Sequence, residues 1–185
     1  MHWLWPRLSR RDLRSVLCLA GIGGLLGGCY GIVHDLITYS LGPEYFTRLK
    51  FQQFAWADPG LPPHLFAAEI GWLATAAAGA IAGWFLARRA VPGRAFKSAA
   101  GITLRGLGIV LAVAMIGGVV GFAMGRARMA NADFSNWSGY LEHVGDPASF
   151  VLVAYIHNSG YAGALIGLLL ACLVTGRPGR KHRDA

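Results

Sequence analysis

Histidine and carboxylate side chains occur inside apolar stretches of this chain, where ionisable groups are rare. His34 and Asp35 are adjacent, and Glu69 and His157 each lie in a separate apolar run. Imidazole nitrogens and carboxylate oxygens are common ligands of zinc, iron and copper in proteins. An ionisable group within a membrane is costly and usually faces the interior of a helix bundle. We therefore expect these four residues to form a site for a divalent transition metal.

Further polar residues lie near the ends of the same runs. Glu44, His64 and His143 are secondary candidates as metal ligands or proton acceptors. We also expect a polar network to surround the site; its members are Asn158, Tyr161, Arg126 and Arg128. The chain has neither an HExxH motif nor a repeated Glu-x-x-His pair, so the spacing does not identify the metal. A b-type haem held by two histidines, His34 and His157, is a less favoured alternative.

Four apolar runs are long enough to cross a membrane, which requires about 20 residues each. They cover residues 15–39, 65–87, 104–125 and 150–175. Only 14% of the residues are charged, whereas about a quarter are charged in soluble domains. The sequence predicts an all-α protein with one membrane domain, folded as a four-helix bundle. Its connections are the loops 40–64, 88–103 and 126–149.

Basic residues are distributed unevenly among these connections. Of the 17 Lys and Arg residues, only Arg48, Lys50, Arg126 and Arg128 fall in loops 40–64 and 126–149. The others lie near the two termini and the middle loop, which predicts that those parts are cytoplasmic. The net charge of +8 is thus explained by topology and by contact with anionic lipid, and we expect no nucleic-acid partner. The predicted location is the bacterial inner membrane, with both termini in the cytoplasm.

The first outward loop has its own helical signals. Pro43 and Glu44 are typical of a helix start, and an aromatic-rich segment with a few charges follows. This segment is too short and too polar to span a bilayer. We predict an interfacial helix there.

Small residues recur at four-residue spacing in every predicted span, which is typical of closely packed membrane helices. The same faces could instead join copies of the chain or a partner in a membrane complex. They comprise Gly23, Gly27 and Gly31; Gly71, Thr75, Gly79 and Gly83; Gly117, Gly121 and Gly125; and Ser159, Gly163, Gly167 and Ala171.

The three cysteines, Cys18, Cys29 and Cys172, form no CxxC pair and all lie within predicted spans. They are expected to be small buried residues rather than a disulfide framework. The segment LGGC at 26–29 resembles a lipoprotein cleavage box, but the apolar run continues past it and three further spans follow. We therefore favour an uncleaved first span.

Two short segments carry a resemblance. The segment HDLITYSLGPEYF at 34–46 and the segment HNSGY at 157–161 resemble stretches of a group of small multi-pass bacterial membrane proteins of unassigned function. The resemblance implies an inner-membrane protein and supplies no activity or catalytic residue.

These observations leave three functional hypotheses. The leading one is an outward-facing His/carboxylate site that binds a metal ion, which could be redox-active or activate a bound water. The second is a transporter or channel component that uses the same residues as a proton or cation relay. The third is an accessory subunit without catalysis, whose aromatic loops contact a partner. A purely structural hydrogen-bond network between helices would use the same residues.

Overall fold

The structure, a computed structural model, describes residues 8–175. The basic residues at 7 and beyond 176, which entered the prediction of orientation and of cytoplasmic termini, lie outside the described residues. Four long helices dominate the fold, and all four are long and apolar enough to cross a membrane. They are α1 (Arg10–Leu41), α2 (Pro63–Ala90), α3 (Phe96–Ala130) and α4 (Pro147–Thr175). The predicted all-α membrane bundle is confirmed, and no strand occurs in the described part of the chain.

Each long helix begins or ends beyond its apolar run. The Ser9 hydroxyl accepts a hydrogen bond from the Asp12 amide, and the Asp12 carboxylate accepts one from the Ser9 amide, so α1 starts at Arg10. Between α2 and α3 only residues 91–95 are non-helical, and Gly93 turns there with φ +74°. The middle loop is therefore much shorter than residues 88–103, because the polar ends of both helices continue past the apolar core.

The helices associate in two sequential pairs. α1 packs along its length against α2, and α3 packs against α4, whereas contact between the pairs is smaller. The largest part of that smaller contact joins α2 to α3, near Leu86 and Leu107. α1 and α4 meet mainly at the opposite end of the bundle, which carries residues 42–62 and 131–146 and which we call the outer end.

Glycine faces account for both tight pairs. A Cβ added at Gly27 would lie 2.5 Å from the Thr75 carbonyl oxygen of α2, and one added at Gly163 would lie 2.6 Å from the Val113 carbonyl oxygen of α3. These small faces are filled within the chain by the neighbouring helix, which is the close backbone approach expected of membrane helices.

The segment after α1 folds over the outer end of the bundle. It runs through the short helical turns Pro43–Tyr45, Phe46–Lys50 and Phe51–Gln53, the middle one π-helical, and ends in a 3₁₀ turn at Ala55–Ala57. We call residues 43–57 the outer cap. Tyr45 and Phe46 are buried beside Phe150 of α4. A helical segment is therefore present where the interfacial helix was predicted, with its aromatic face inserted into the bundle.

Candidate functional site

Three of the four predicted ligands converge at the outer end. His34 and Asp35 lie on α1, His157 lies on α4, and one potential ligand atom from each lies within 4.8 Å of the others. Asp35 is 5% exposed and His157 is 1% exposed, whereas His34 is half-buried. The site therefore joins the two helices that otherwise make little contact.

Hydrogen bonds fix the orientation of the His157 ring. Its Nδ1 lies 3.0 Å from the Val153 carbonyl oxygen, one turn earlier on α4. A carbonyl oxygen only accepts, so Nδ1 carries a hydrogen and donates it. The other nitrogen, Nε2, lies 3.2 Å from Asp35 Oδ1. One positive species, a proton or a metal ion, is needed between that nitrogen and the carboxylate to make their contact favourable.

This arrangement matches a recurrent feature of protein metal sites. A metal-binding histidine usually donates its second ring N–H to a carbonyl or carboxylate, which orients the ring. His157 already makes that contact through Val153. Zn–N bonds are about 2.0 Å, so tetrahedral ligand atoms lie roughly 3.3 Å apart. His157 Nε2 and Asp35 Oδ1 are already 3.2 Å apart, so binding would need mainly the half-buried His34 to move closer to them.

A haem does not fit the same space. The His34 and His157 rings are in edge-to-face contact, with centroids 4.9 Å apart. Nε2 of His157 faces Asp35 rather than an open slot. A porphyrin held by both histidines would have to lie between rings that already touch.

Aromatic rings enclose the site on several sides. The Tyr45 ring of the outer cap lies 4.9 Å from the His157 ring, and Phe46 lies 5.8 Å from it. Tyr161, one turn further along α4, lies 5.9 Å from His157, and Tyr30 stacks on His34 at 5.5 Å. Burial raises the pKa of the Tyr45 hydroxyl, so Tyr45 stays neutral. The enclosure limits water and strengthens electrostatic interactions within the site.

Lys50 is a member of the site that the sequence analysis missed. Its Nζ donates a hydrogen bond to the Tyr161 hydroxyl at 3.3 Å and lies 5.8 Å from the centre of the Tyr45 ring. Burial lowers the pKa of Lys50, and the Asp35 carboxylate opposes that lowering. One signal was present in the sequence, because Lys50 is the only lysine on the side of the membrane that is poor in basic residues.

The fourth predicted ligand, Glu69, is not in the cluster. It lies on α2, where its Oε2 is buried and accepts no hydrogen bond from the described residues. The alternative pairing of Glu69 with Arg126 or Arg128 is not found, because Arg128 pairs with Asp133 and Arg126 is exposed.

Four more residues were predicted to lie in or near the site: Tyr161, His64, His143 and Asn158. Tyr161 joins the site through Lys50, as described above. His64, at the start of α2, and His143, in the second outer loop, are exposed. Asn158, on α4, is also exposed. These three residues do not reach the cluster.

Glu44 has a different role from the predicted one. Its two carboxylate oxygens accept hydrogen bonds from the amides of Gly145, at 2.9 Å, and Asp146, at 2.6 Å. These two bonds lower the pKa of Glu44. Glu44 therefore ties the outer cap to the start of α4, which presents His157.

We expect Glu44→Gln to destabilise the protein at pH 7 and to have little effect at pH 3. The carboxylate has a lowered pKa in the fold, so its stabilisation is present above the ordinary value of 4.5 and is lost as the pH falls below it. The amide mimics the protonated acid, which accepts at one oxygen only. The measurement is the free energy of unfolding in detergent at both pH values. The exposed Glu142→Gln is the control; if the two variants behave alike, the tie through Glu44 contributes nothing.

Comparisons of the chain with protein-family models, with curated proteins and with solved structures found no match.

Proposed function

We propose that this membrane protein binds a divalent transition-metal ion at the outer end of its bundle, through His34, Asp35 and His157. The observation that supports the proposal is the convergence of the three potential ligand atoms within 4.8 Å. Two imidazoles and one carboxylate are a ligand set that suits zinc, iron and copper. Three protein ligands leave a coordination position open for a water or a substrate, as in catalytic rather than structural zinc sites.

The location proposed for this site is the outward face of a bacterial inner membrane. Among residues 8–175, eight of the twelve Lys and Arg residues lie near the opposite end of the bundle, and seven of the eight acids lie toward the outer end. The first asymmetry supports the orientation through the positive-inside rule. The second is not part of that rule, and a site that attracts cations gives it a physical cause.

The position of Lys50 provides a test of whether the ligand is a cation or an anion. Lys50 is close enough to Asp35 for the carboxylate to act on its pKa. A positive ammonium group beside the site opposes the entry of a cation and favours the entry of an anion. Lys50→Met should therefore tighten the binding of a divalent cation and weaken that of an anion.

The direct experiment is an isothermal calorimetric titration of the purified full chain with Zn²⁺. We expect one Zn²⁺ per chain. His34→Ala should raise the Kd at least about tenfold, because the loss of even an outer-shell partner costs that much. His34 is half-buried, and its ring contacts the Tyr30 and His157 rings, so this variant should keep its fold.

The matched control is His143→Ala, which removes an exposed histidine outside the cluster. It should leave the Kd unchanged, and Lys50→Met should lower it. The proposal fails if wild type and His34→Ala bind Zn²⁺ equally, or if His143→Ala weakens binding as much as His34→Ala does.

A proton relay is a second candidate function, favoured by one observation. The Nε2–Oδ1 contact between His157 and Asp35 requires a proton when no metal is bound, and Lys50 with Tyr161 supplies further exchangeable protons beside it. Proteoliposomes that contain a pH-sensitive dye would report proton flux. Flux that is lost in Asp35→Asn, in a protein that binds no Zn²⁺, would favour this function over the first.

A further inference from the structure

The candidate site has an exposed edge on the lipid-facing side of α4. Tyr161, whose ring lies 5.9 Å from the His157 ring, is 48% exposed. Leu165, one turn further along α4, is 62% exposed, so Tyr161 borders the apolar surface that this helix presents to the membrane. The outer cap covers the site from the other direction, where Tyr45 is buried beside the His157 ring. The exposed edge is therefore reached from within the bilayer.

Lys50 places a positive charge at this edge. It belongs to the π-helical turn Phe46–Lys50, and such turns are rare and occur often at functional sites. Its Nζ lies 5.6 Å from the centre of the Tyr161 ring and donates a hydrogen bond to the hydroxyl of the same residue. Lys50 is also near enough to His34 and Asp35 to interact with them electrostatically. A cation therefore flanks the exposed edge, next to the proposed metal ligands.

A metal ion at the site would leave this enclosed cluster with an excess of positive charge. A divalent ion brings two positive charges, the Asp35 carboxylate removes one and the Lys50 ammonium adds one, while metal-bound imidazoles are neutral. No second carboxylate belongs to the cluster among residues 8–175. A charge that is removed from water and left unpaired is strongly unfavourable. Binding of the metal should therefore be coupled to binding of an anion.

We propose that this anion is the headgroup of a phosphate-monoester lipid, which enters from the outer leaflet beside α4 and binds between the metal ion and Lys50. The proposal rests on the metal site proposed above. A phosphate monoester carries about 1.5 to 2 negative charges at neutral pH, which balances the cluster. A phosphodiester carries only one, and lysine is a common partner of phosphate in proteins. The acyl chains would lie beyond Tyr161 on the exposed face of α4, near Leu165 and Leu169.

Native mass spectrometry of the full chain in a neutral detergent measures lipid binding with and without Zn²⁺. The probes are phosphatidic acid, phosphatidylglycerol and phosphatidylcholine, with glycerol 3-phosphate as a headgroup that lacks acyl chains. We expect Zn²⁺ to tighten the binding of phosphatidic acid at least about fivefold, the lower end of ordinary coupling between sites. Because such coupling is reciprocal, phosphatidic acid should tighten Zn²⁺ binding by the same factor in calorimetry. Phosphatidylcholine should bind equally with and without Zn²⁺.

Two lysine variants form a matched pair. Lys50→Met should weaken the binding of phosphatidic acid to the Zn²⁺-loaded protein about fivefold, the contribution of one charge near an anionic headgroup. The same variant should tighten Zn²⁺ binding when no lipid is present, and misfolding cannot produce these opposite effects. Lys97→Met removes an exposed lysine at the start of α3 and should change neither quantity. Lys50→Arg keeps the charge and should retain most of the lipid binding.

The outcomes for Zn²⁺ and for lipid are separable. A chain that binds no Zn²⁺ overturns the metal site and the lipid proposal together. A chain that binds Zn²⁺, but binds phosphatidic acid equally with and without the ion or no better than phosphatidylcholine, overturns the lipid proposal alone. So does a Lys50→Met protein that binds phosphatidic acid as Lys97→Met does. Glycerol 3-phosphate that binds as tightly as phosphatidic acid would identify the ligand as a free phosphate from water and overturn entry from the bilayer.

Discussion

Replacing Asp35 with Asn is expected to abolish Zn²⁺ binding while leaving the fold nearly as stable as wild type. An amide is a far weaker ligand than a carboxylate and carries no negative charge, so we expect the Kd to rise by more than about 100-fold, beyond the effect of an outer-shell change. The fold should be preserved because the Asn amide can donate to Nε2 of a neutral His157 at the 3.2 Å position where Asp35 lies now. Calorimetry with Zn²⁺ measures the first effect, and unfolding by sodium dodecyl sulfate, followed by circular dichroism, measures the second.

Comparison with Asp35→Ala separates the effect on Zn²⁺ binding from the effect on stability. This variant also removes the ligand, but it leaves the buried Nε2 of His157 without a partner, which costs about 1–3 kcal/mol of stability. The change in Asp35→Asn should stay within about 1 kcal/mol. The exposed Asn158→Ala, next to His157, should affect neither quantity. A metal site predicts loss of Zn²⁺ in both Asp35 variants. A structural network predicts that Zn²⁺ binding is weak already in wild type and does not respond to either change.

The sequence predicted the fold well, because the fold depends on local properties. Length and hydropathy identify four spanning helices, and four-residue spacing of small side chains identifies the faces that pack. The helices extend beyond the predicted spans, since capping by Ser9 and Asp12 and proline at the first turn of α2 lengthen helices beyond the apolar run. Such ends depend on a few polar residues rather than on hydropathy.

The site was predicted in part, and the reason lies in helix geometry. Depth in the membrane follows from sequence position, but the direction of a side chain around the helix follows from packing. On α1, Asp35 is four residues after Gly31, so it lies on the glycine face that contacts α2. His34, one residue earlier, is turned about 100° from that face and is only half-buried.

The same geometry explains why Glu69 is absent from the cluster. Each residue of a helix turns about 100° from the last. Glu69 precedes Gly71, which packs against Gly31 of α1, by two residues. Two residues turn the helix by about 200°, so Glu69 lies on nearly the opposite side of α2 from the face that contacts α1.

The presence of Lys50 in the candidate site could not be predicted from any local sequence pattern. Its contact with Tyr161 joins residues 111 positions apart in the chain. It depends on the outer cap folding back over α4, which the buried Tyr45 and Phe46 rings stabilise. Aromatic residues in the loop predicted an interfacial helix, but not which face of it would enter the bundle.

Gly27→Ala is expected to destabilise the protein by about 1–3 kcal/mol, the usual cost of overpacking. The new Cβ would lie 2.5 Å from the Thr75 carbonyl oxygen and 3.1 Å from the Gly79 Cα, both backbone atoms that cannot rotate away. α1 and α2 would have to separate, which also weakens the hydrogen bond from the Thr75 hydroxyl to the Gly27 carbonyl oxygen, now 2.7 Å long. The free energy of unfolding in bicelles, measured by steric trapping, reports the effect.

Gly21→Ala on the same helix is the matched control, because Gly21 is exposed and a Cβ added there meets nothing within 4 Å. It should leave the stability unchanged or slightly higher, since alanine favours the helix more than glycine does. Gly163→Ala in the second pair should behave as Gly27→Ala does, because its Cβ would lie 2.6 Å from the Val113 carbonyl oxygen. Equal stability of Gly27→Ala and Gly21→Ala would mean that α1 and α2 are not held by close backbone contact, and the glycine spacing would then need another explanation, such as contact with a second copy of the chain.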